Sequence, residues 1–140
     1  MKIFLIGPMG SGKSKIGRIL SEKLSISLFD IDKEIEKDLN MSITEIFASK
    51  GEIFFRNTET DYLIKTKGLR DCIVSTGGGV VEEIKNLEFL RKETNVVFLN
   101  CSVESQYENT RNSAKRPLLL TNDPKSVSYT HLRAHETACY

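Results

Sequence analysis

Eight residues near the start of the chain constrain it more than any other stretch: Gly7-Pro8-Met9-Gly10-Ser11-Gly12-Lys13-Ser14. They match G-x-x-x-x-G-K-[ST], a pattern that closes on phosphate when it joins a strand to a helix. The flanks supply that context. Lys2 to Ile6 is a short apolar run, and Lys13 to Leu24 places Ile16, Ile19, Leu20 and Leu24 at helical spacing. Glycines let backbone N–H groups wrap a triphosphate, and the following helix presents its positive end. In such a turn Lys13 supplies a mobile charge for the β- and γ-phosphates, and Ser14 a hydroxyl ligand for Mg²⁺. A glycine-rich turn can also join a strand to a helix and bind nothing, but all four fixed positions are present here. The motif points to a nucleoside triphosphate and leaves its acceptor open.

Strand-like and helix-like segments alternate along the chain, which predicts an α/β fold with a parallel sheet. Further strands are expected at Ser27 to Ile31, Cys72 to Ser75 and Asn95 to Leu99. Ser42-Ile43-Thr44-Glu45 has the form of a capping box and opens a helical stretch towards Lys67. Helices are also expected from Glu82 to Arg91 and from Val103 to Thr110, before a loop at Ser113 to Pro117. At 140 residues there is room for one core. A net charge of +1 offers no electrostatic case for nucleic acid. No run could span a bilayer. Three widely spaced cysteines, Cys72, Cys101 and Cys139, suggest reduced thiols and a cytoplasmic location.

Three more clusters bear on the acceptor. Phe29-Asp30-Ile31-Asp32 sets two carboxylates two residues apart at a strand end, where alternation would send both to one side. One can hold a Mg²⁺-bound water while the other orients or deprotonates a hydroxyl, although a helix start explains the same residues. Arg56 and Glu59 stand one helical turn apart. Such a pair is commonly a surface contact; the functional alternative is a guanidinium fork, steadied by Glu59, that grips a carboxylate. Gly77-Gly78-Gly79 directly after a strand would let backbone approach a small ligand with no side chain in the way, and is more glycine than a turn requires.

In combination these motifs resemble the shikimate kinases. The P-loop with Met9 inside it is followed by F-D-x-D, then by G-E-x-x-F-R-x-x-E at Gly51 to Glu59, then by S-x-G-G-G and Arg116-Pro117-Leu118-Leu119. The resemblance implies a three-layer P-loop kinase fold, with four of the family's five strands in this chain and helices on both faces. It implies transfer of the γ-phosphoryl group of ATP to the 3-hydroxyl of shikimate by a cytoplasmic monomer. Met9, Gly10, Ser11, Gly12, Lys13, Ser14 and Lys15 would hold ATP, with Ser14 and Asp30 serving Mg²⁺. Asp32 would bind the shikimate hydroxyls and act as base. Arg56 would take the carboxylate, with Glu59, Gly77, Gly78 and Gly79 completing the pocket. Arg116 would close over the transferring phosphoryl group, and Arg111 would lie near the adenine.

The family continues past this lid with a helix bearing another substrate-binding arginine, a fifth strand and a last helix, which need roughly 40 more residues. The matching part is expected to end at residue 125. Residues 126–140 change composition abruptly, carrying both histidines and two of the four tyrosines, and are expected to be a non-native tail outside the domain. Turnover by a chain lacking those elements is therefore not expected. Two other readings stay open: another small-molecule P-loop kinase, of gluconate or nucleoside-monophosphate type, or a nucleotide-binding remnant without catalysis.

Overall fold

The computed structural model describes residues 1–110. Its strands are β1 (Lys2–Ile6), β2 (Ser27–Asp30), β3 (Cys72–Ser75) and β4 (Val96–Phe98). The helices between and after them are α1 (Lys13–Leu24), α2 (Ile31–Leu39), α3 (Ile43–Lys65), α4 (Ile84–Arg91) and α5 (Val103–Thr110). All strand pairs are parallel, in the order β2-β3-β1-β4. Phe4 lies opposite Val74 of β3 on one side and Val96 of β4 on the other.

Both faces of this sheet are covered. Successive strand residues point to opposite faces, yet Phe4 and Leu5 are each 0% exposed. Phe4 packs edge-on against Phe89 of α4, with ring centroids 5.9 Å apart. On the Leu5 face α1 descends onto the sheet through Gly17, where an added Cβ would come within 3.0 Å of Leu28 and 3.5 Å of Leu5. Glycine at that contact brings the helix close, and it explains why the expected stripe is only partly used: Ile19 and Leu24 remain exposed. The helices therefore sit on both faces, as expected, around a core that includes Ile31, Ile35, Ile46, Leu63 and Val80.

Boundaries differ from expectation where tertiary packing decides them. β2 stops at Asp30 and α2 begins at once with the fully buried Ile31. β4 is shorter than the expected Asn95 to Leu99, and a 3₁₀ turn at Val80–Glu82 precedes α4. The Ser42 cap forms, its hydroxyl accepting from the Glu45 N–H at 3.1 Å. The helix it opens is interrupted at Gly51, whose φ of 86° and ψ of 170° belong to a region that only glycine occupies readily. No atom lies within 4 Å of a Cβ added there, so substitution costs backbone strain alone. Gly51→Ala should lower stability by about 1–3 kcal/mol, read as a shift in the urea midpoint at unchanged slope. An unshifted midpoint would mean that the two halves of α3 rejoin without cost.

Arg111, Arg116, the loop containing them, the boundary at residue 125 and the tail 126–140 all lie outside the described residues. Among the described residues no helix is long and apolar enough to cross a membrane.

Candidate active site

The glycine-rich turn leaves β1 at its carboxyl end and enters α1 through Gly12, which holds a left-handed φ of 89°. Unlike α2 and α3, α1 has no capping side chain and no acidic residue in its first turn. Its leading N–H groups are thus left for an anion. They open on a cleft of about 600 Å³ lined by Gly10, Ser11, Gly12, Lys13, Ser14 and Lys15, with Asp30 and Asp32 beside them. Lys13 is buried within the turn. Its Nζ donates to the Gly7 carbonyl at 2.6 Å, to the Pro8 carbonyl at 2.9 Å and to Ser11 Oγ at 3.4 Å.

Asp30 ends β2 and caps α2, its Oδ1 accepting from the Lys33 N–H at 3.3 Å. Its other oxygen, Oδ2, accepts from Ser14 Oγ at 2.8 Å. The helix-start reading and the ligand-site reading are therefore compatible for this residue. Asp32 is not on a strand. It occupies the first turn of α2, so alternation along β2 is not what brings it to the cleft. An abrupt strand-to-helix change at Ile31 turns it there instead.

Arg56 and Glu59 both lie on the inner face of α3, and they are not a surface pair. Arg56 is 8% exposed and Glu59 0%. Arg56 Nη1 donates to Glu59 Oε1 at 3.1 Å, while Glu52 and Glu82 approach Nε and Nη2 at 3.6 and 3.9 Å. Burial opposes the Arg56 charge, but the three carboxylates outweigh it and its pKa is raised. Glu59 moves the opposite way for a paired acid. Burial and then the charge of Asp32 push it up to about 7, against the pull of Arg56. Its Oε2 is buried with no hydrogen-bond partner.

The glycine triplet explains how these groups fit. A Cβ on Gly77 would fall 2.4 Å from Glu59 Oε2 and 3.1 Å from Asp32 Oδ1. On Gly78 it would meet the Met9 backbone nitrogen at 3.0 Å, and on Gly79 Arg56 Nη1 at 2.5 Å. None of the three has a left-handed φ. The expectation that they clear space for a ligand's approach is thus refined. They clear space for Asp32, Glu59, Arg56 and the turn around Met9, so the two halves of the site touch through bare backbone. Met9 itself packs against Gly78 and does not line the cleft. A hydroxyl bond from Tyr62 of α3 to Asp38 of α2 fastens the helices that carry Arg56 and Asp32.

Several lining residues have no signature in the sequence. Thr76 lines the cleft and its hydroxyl donates to the Leu5 carbonyl at 2.8 Å. Its place just before three glycines was the available hint. Lys33 and Glu36 arrive with α2, and Asn109 arrives from α5 across 99 residues of sequence.

A family model described as shikimate kinase matches residues 9–140. The shikimate kinase of Methylococcus capsulatus is 41% identical over 134 residues, which cover 96% of this chain and 75% of that protein. Among solved structures, shikimate kinase from Acinetobacter baumannii in complex with shikimate superposes with a TM-score of 0.93 at 36% identity, over 98% of this chain and 76% of that one. A deoxyadenosine kinase from M. mycoides shares only the fold, with a TM-score of 0.61 at 18% identity, over 98% of this chain and 83% of that one. The cleft, the buried arginine behind it and these likenesses converge: the chain belongs to the shikimate kinase family.

Proposed function

We propose that this site transfers the γ-phosphoryl group of ATP to the 3-hydroxyl of shikimate. One observation carries the reading. Asp32 lines the phosphate cleft and meets Glu59 at Gly77, and Glu59 in turn holds the buried guanidinium of Arg56, so these two carboxylates link the triphosphate turn to that arginine. A small acceptor with a carboxylate at one end and a hydroxyl at the other matches that order of groups.

The backbone from Gly10 to Lys15 would hold the phosphates, and the Lys13 ammonium would leave the Gly7 and Pro8 carbonyls to meet the β- and γ-oxygens. Arg56 would take the acceptor's carboxylate by two parallel bonds, with Glu59 fixing the plane of its guanidinium. Asp32 would orient the 3-hydroxyl and accept its proton as the oxygen attacks phosphorus and ADP departs. Such a transition state is loose, so alignment and charge supply most of the catalysis. Arg111 and Arg116 are proposed as nucleotide-side residues, the second over the transferring group. The oxygen-only pair of Ser14 and Asp30, 2.8 Å apart at the cleft wall, suits Mg²⁺, with Asp30 acting through water. When bound, the ion would neutralise phosphate charge.

On this chain extended after Lys125 with the C-terminal segment of a related shikimate kinase, an ADP-release assay with shikimate, gluconate and a nucleoside monophosphate as acceptors tests the reading. Turnover with shikimate alone is expected, and turnover only with either other acceptor overturns it. Arg56→Lys keeps the charge but loses the planar fork. Shikimate binding should weaken about ten- to a hundredfold, the worth of a charge-assisted bond, with ATP affinity moving less than about twofold. Calorimetry showing equal losses for both ligands would remove Arg56 from the acceptor side.

A further inference from the structure

The buried guanidinium of Arg56 faces more negative charge than it can offset. Glu59 holds its Nη1 at 3.1 Å, and Glu52 and Glu82 approach Nε and Nη2 at 3.6 and 3.9 Å. An acceptor carboxylate docking on Arg56 would bring one more negative charge into this cluster. How that charge is absorbed depends on where each acid sits. The side chains of Glu52 and Glu82 are 56% and 37% exposed, so water screens them. Glu59 is fully buried on the inner face of α3 and has no such outlet. The charged groups that face it are Arg56 on its own helix, Asp32 from α2 and Glu82 from the 3₁₀ turn after β3, one cation against two acids. Its Oε1 accepts from Arg56. Its Oε2 has no hydrogen-bond partner and lies against the bare backbone of Gly77, where Asp32 also arrives.

We propose that Glu59 takes up a proton from solvent when the acceptor's carboxylate docks on Arg56, so that the anion binds together with a proton. The proposal rests on the reading of Arg56 as the acceptor's partner. The incoming carboxylate draws on the guanidinium that until then offset the Glu59 charge. A buried acid that loses this compensation is more stable neutral. The geometry accommodates the proton. A carboxyl protonated at Oε2 still accepts from Arg56 through Oε1, so the fork keeps its plane. Its new O–H can donate towards the Asp32 carboxylate beside Gly77. Burial and the charge of Asp32 already push the Glu59 pKa up to about 7, so a further rise on docking moves a proton near neutral pH. Uptake is therefore largest above about 7, and absent well below it, where Glu59 already carries its proton.

Titration calorimetry with shikimate, on the chain extended as for the turnover assay, reads this uptake directly. At pH 7.5 the binding enthalpy should vary with the ionisation enthalpy of the buffer, with a slope of about half a proton taken up. At pH 5.5 the slope should vanish. Shikimate's own carboxyl is ionised at both, since ordinary carboxylic acids titrate at about pH 4. Affinity should accordingly fall about fivefold from pH 6 to pH 8, within the tenfold per pH unit that one linked proton permits. Glu59→Gln keeps an acceptor oxygen for Arg56 and cannot titrate, so the uptake and the fall in affinity should both disappear. Glu82→Gln alters an acid that water already screens, and should retain most of the uptake. Groups brought by the extension are common to all three proteins. The parent's slopes at the two pH values test the proposal even without the variants. No uptake at pH 7.5 by a parent that binds shikimate, or uptake that survives Glu59→Gln, overturns the role and leaves the acceptor site standing. A parent that binds no shikimate overturns both.

Discussion

Lys13→Met, in this chain extended after Lys125 with the C-terminal segment of a related shikimate kinase, should lose at least about a hundredfold in kcat, the usual consequence of removing one preorganised charge from a transition state. Methionine is the informative replacement because the Lys13 stem is buried and an unbranched apolar chain keeps its packing. In the ligand-free turn the ammonium has structural work too, since it satisfies the Gly7 and Pro8 carbonyls. Removing it should lower stability by about 1–3 kcal/mol, as charge-assisted bonds do. The two effects differ enough in size to be separated. Loss of stability on that scale leaves most molecules folded when the total is about 5–15 kcal/mol, whereas turnover should nearly vanish. Rates compared at a temperature where circular dichroism shows both proteins folded decide the matter. A variant within twofold of the parent would show that the lysine only braces the turn.

How much of this site was legible beforehand follows from the range over which each contact acts. The phosphate turn is local: eight residues set it, and strand, turn and helix fall where the spacing predicts. Asp30 and Asp32 were legible as residues but not as geometry. The hydrophobic pull on Ile31, fully buried at the head of α2, starts the helix one residue earlier than strand alternation implies. The glycine triplet was legible as an excess over what a turn needs. Its cause was not, because the atoms that demand the space belong to Asp32, Glu59, Arg56 and Met9, between 18 and 69 residues away in sequence. Arg56 and Glu59 resembled an ordinary helical pair, and only the burial supplied by neighbouring elements separates them from one. Asn109 had no local signal at all. An asparagine in a polar helix gains a meaning only when the sheet order brings α5 beside Gly10.

Glu59 should make this protein more stable in mild acid than at neutral pH, a sign opposite to that of an ordinary buried ion pair. The acid is fully buried, its Oε2 has no hydrogen-bond partner, and Asp32 stands across Gly77. Burial and that neighbouring charge push its pKa from 4.5 up to about 7 in the folded protein. Between those values the folded state binds the proton and the unfolded chain does not, so acid favours folding. The contribution is whole below about 4.5 and is lost as pH rises through about 7. At about 1.4 kcal/mol per unit, the span corresponds to on the order of 3 kcal/mol. With the carboxyl out of solvent, screening does little to reduce it. Glu59→Gln keeps the shape and the acceptor oxygen for Arg56 but is neutral at every pH. Urea midpoints of the two proteins, taken from pH 5 to pH 8, isolate the term because every other titrating group is common to both. The parent should lose stability relative to the variant across this window, most steeply between about pH 5 and 6.5, and the loss should level off above about pH 7. A parent that instead gains on the variant as pH rises would mean that Arg56 keeps Glu59 ionised throughout, with its pKa held below the ordinary carboxylate value.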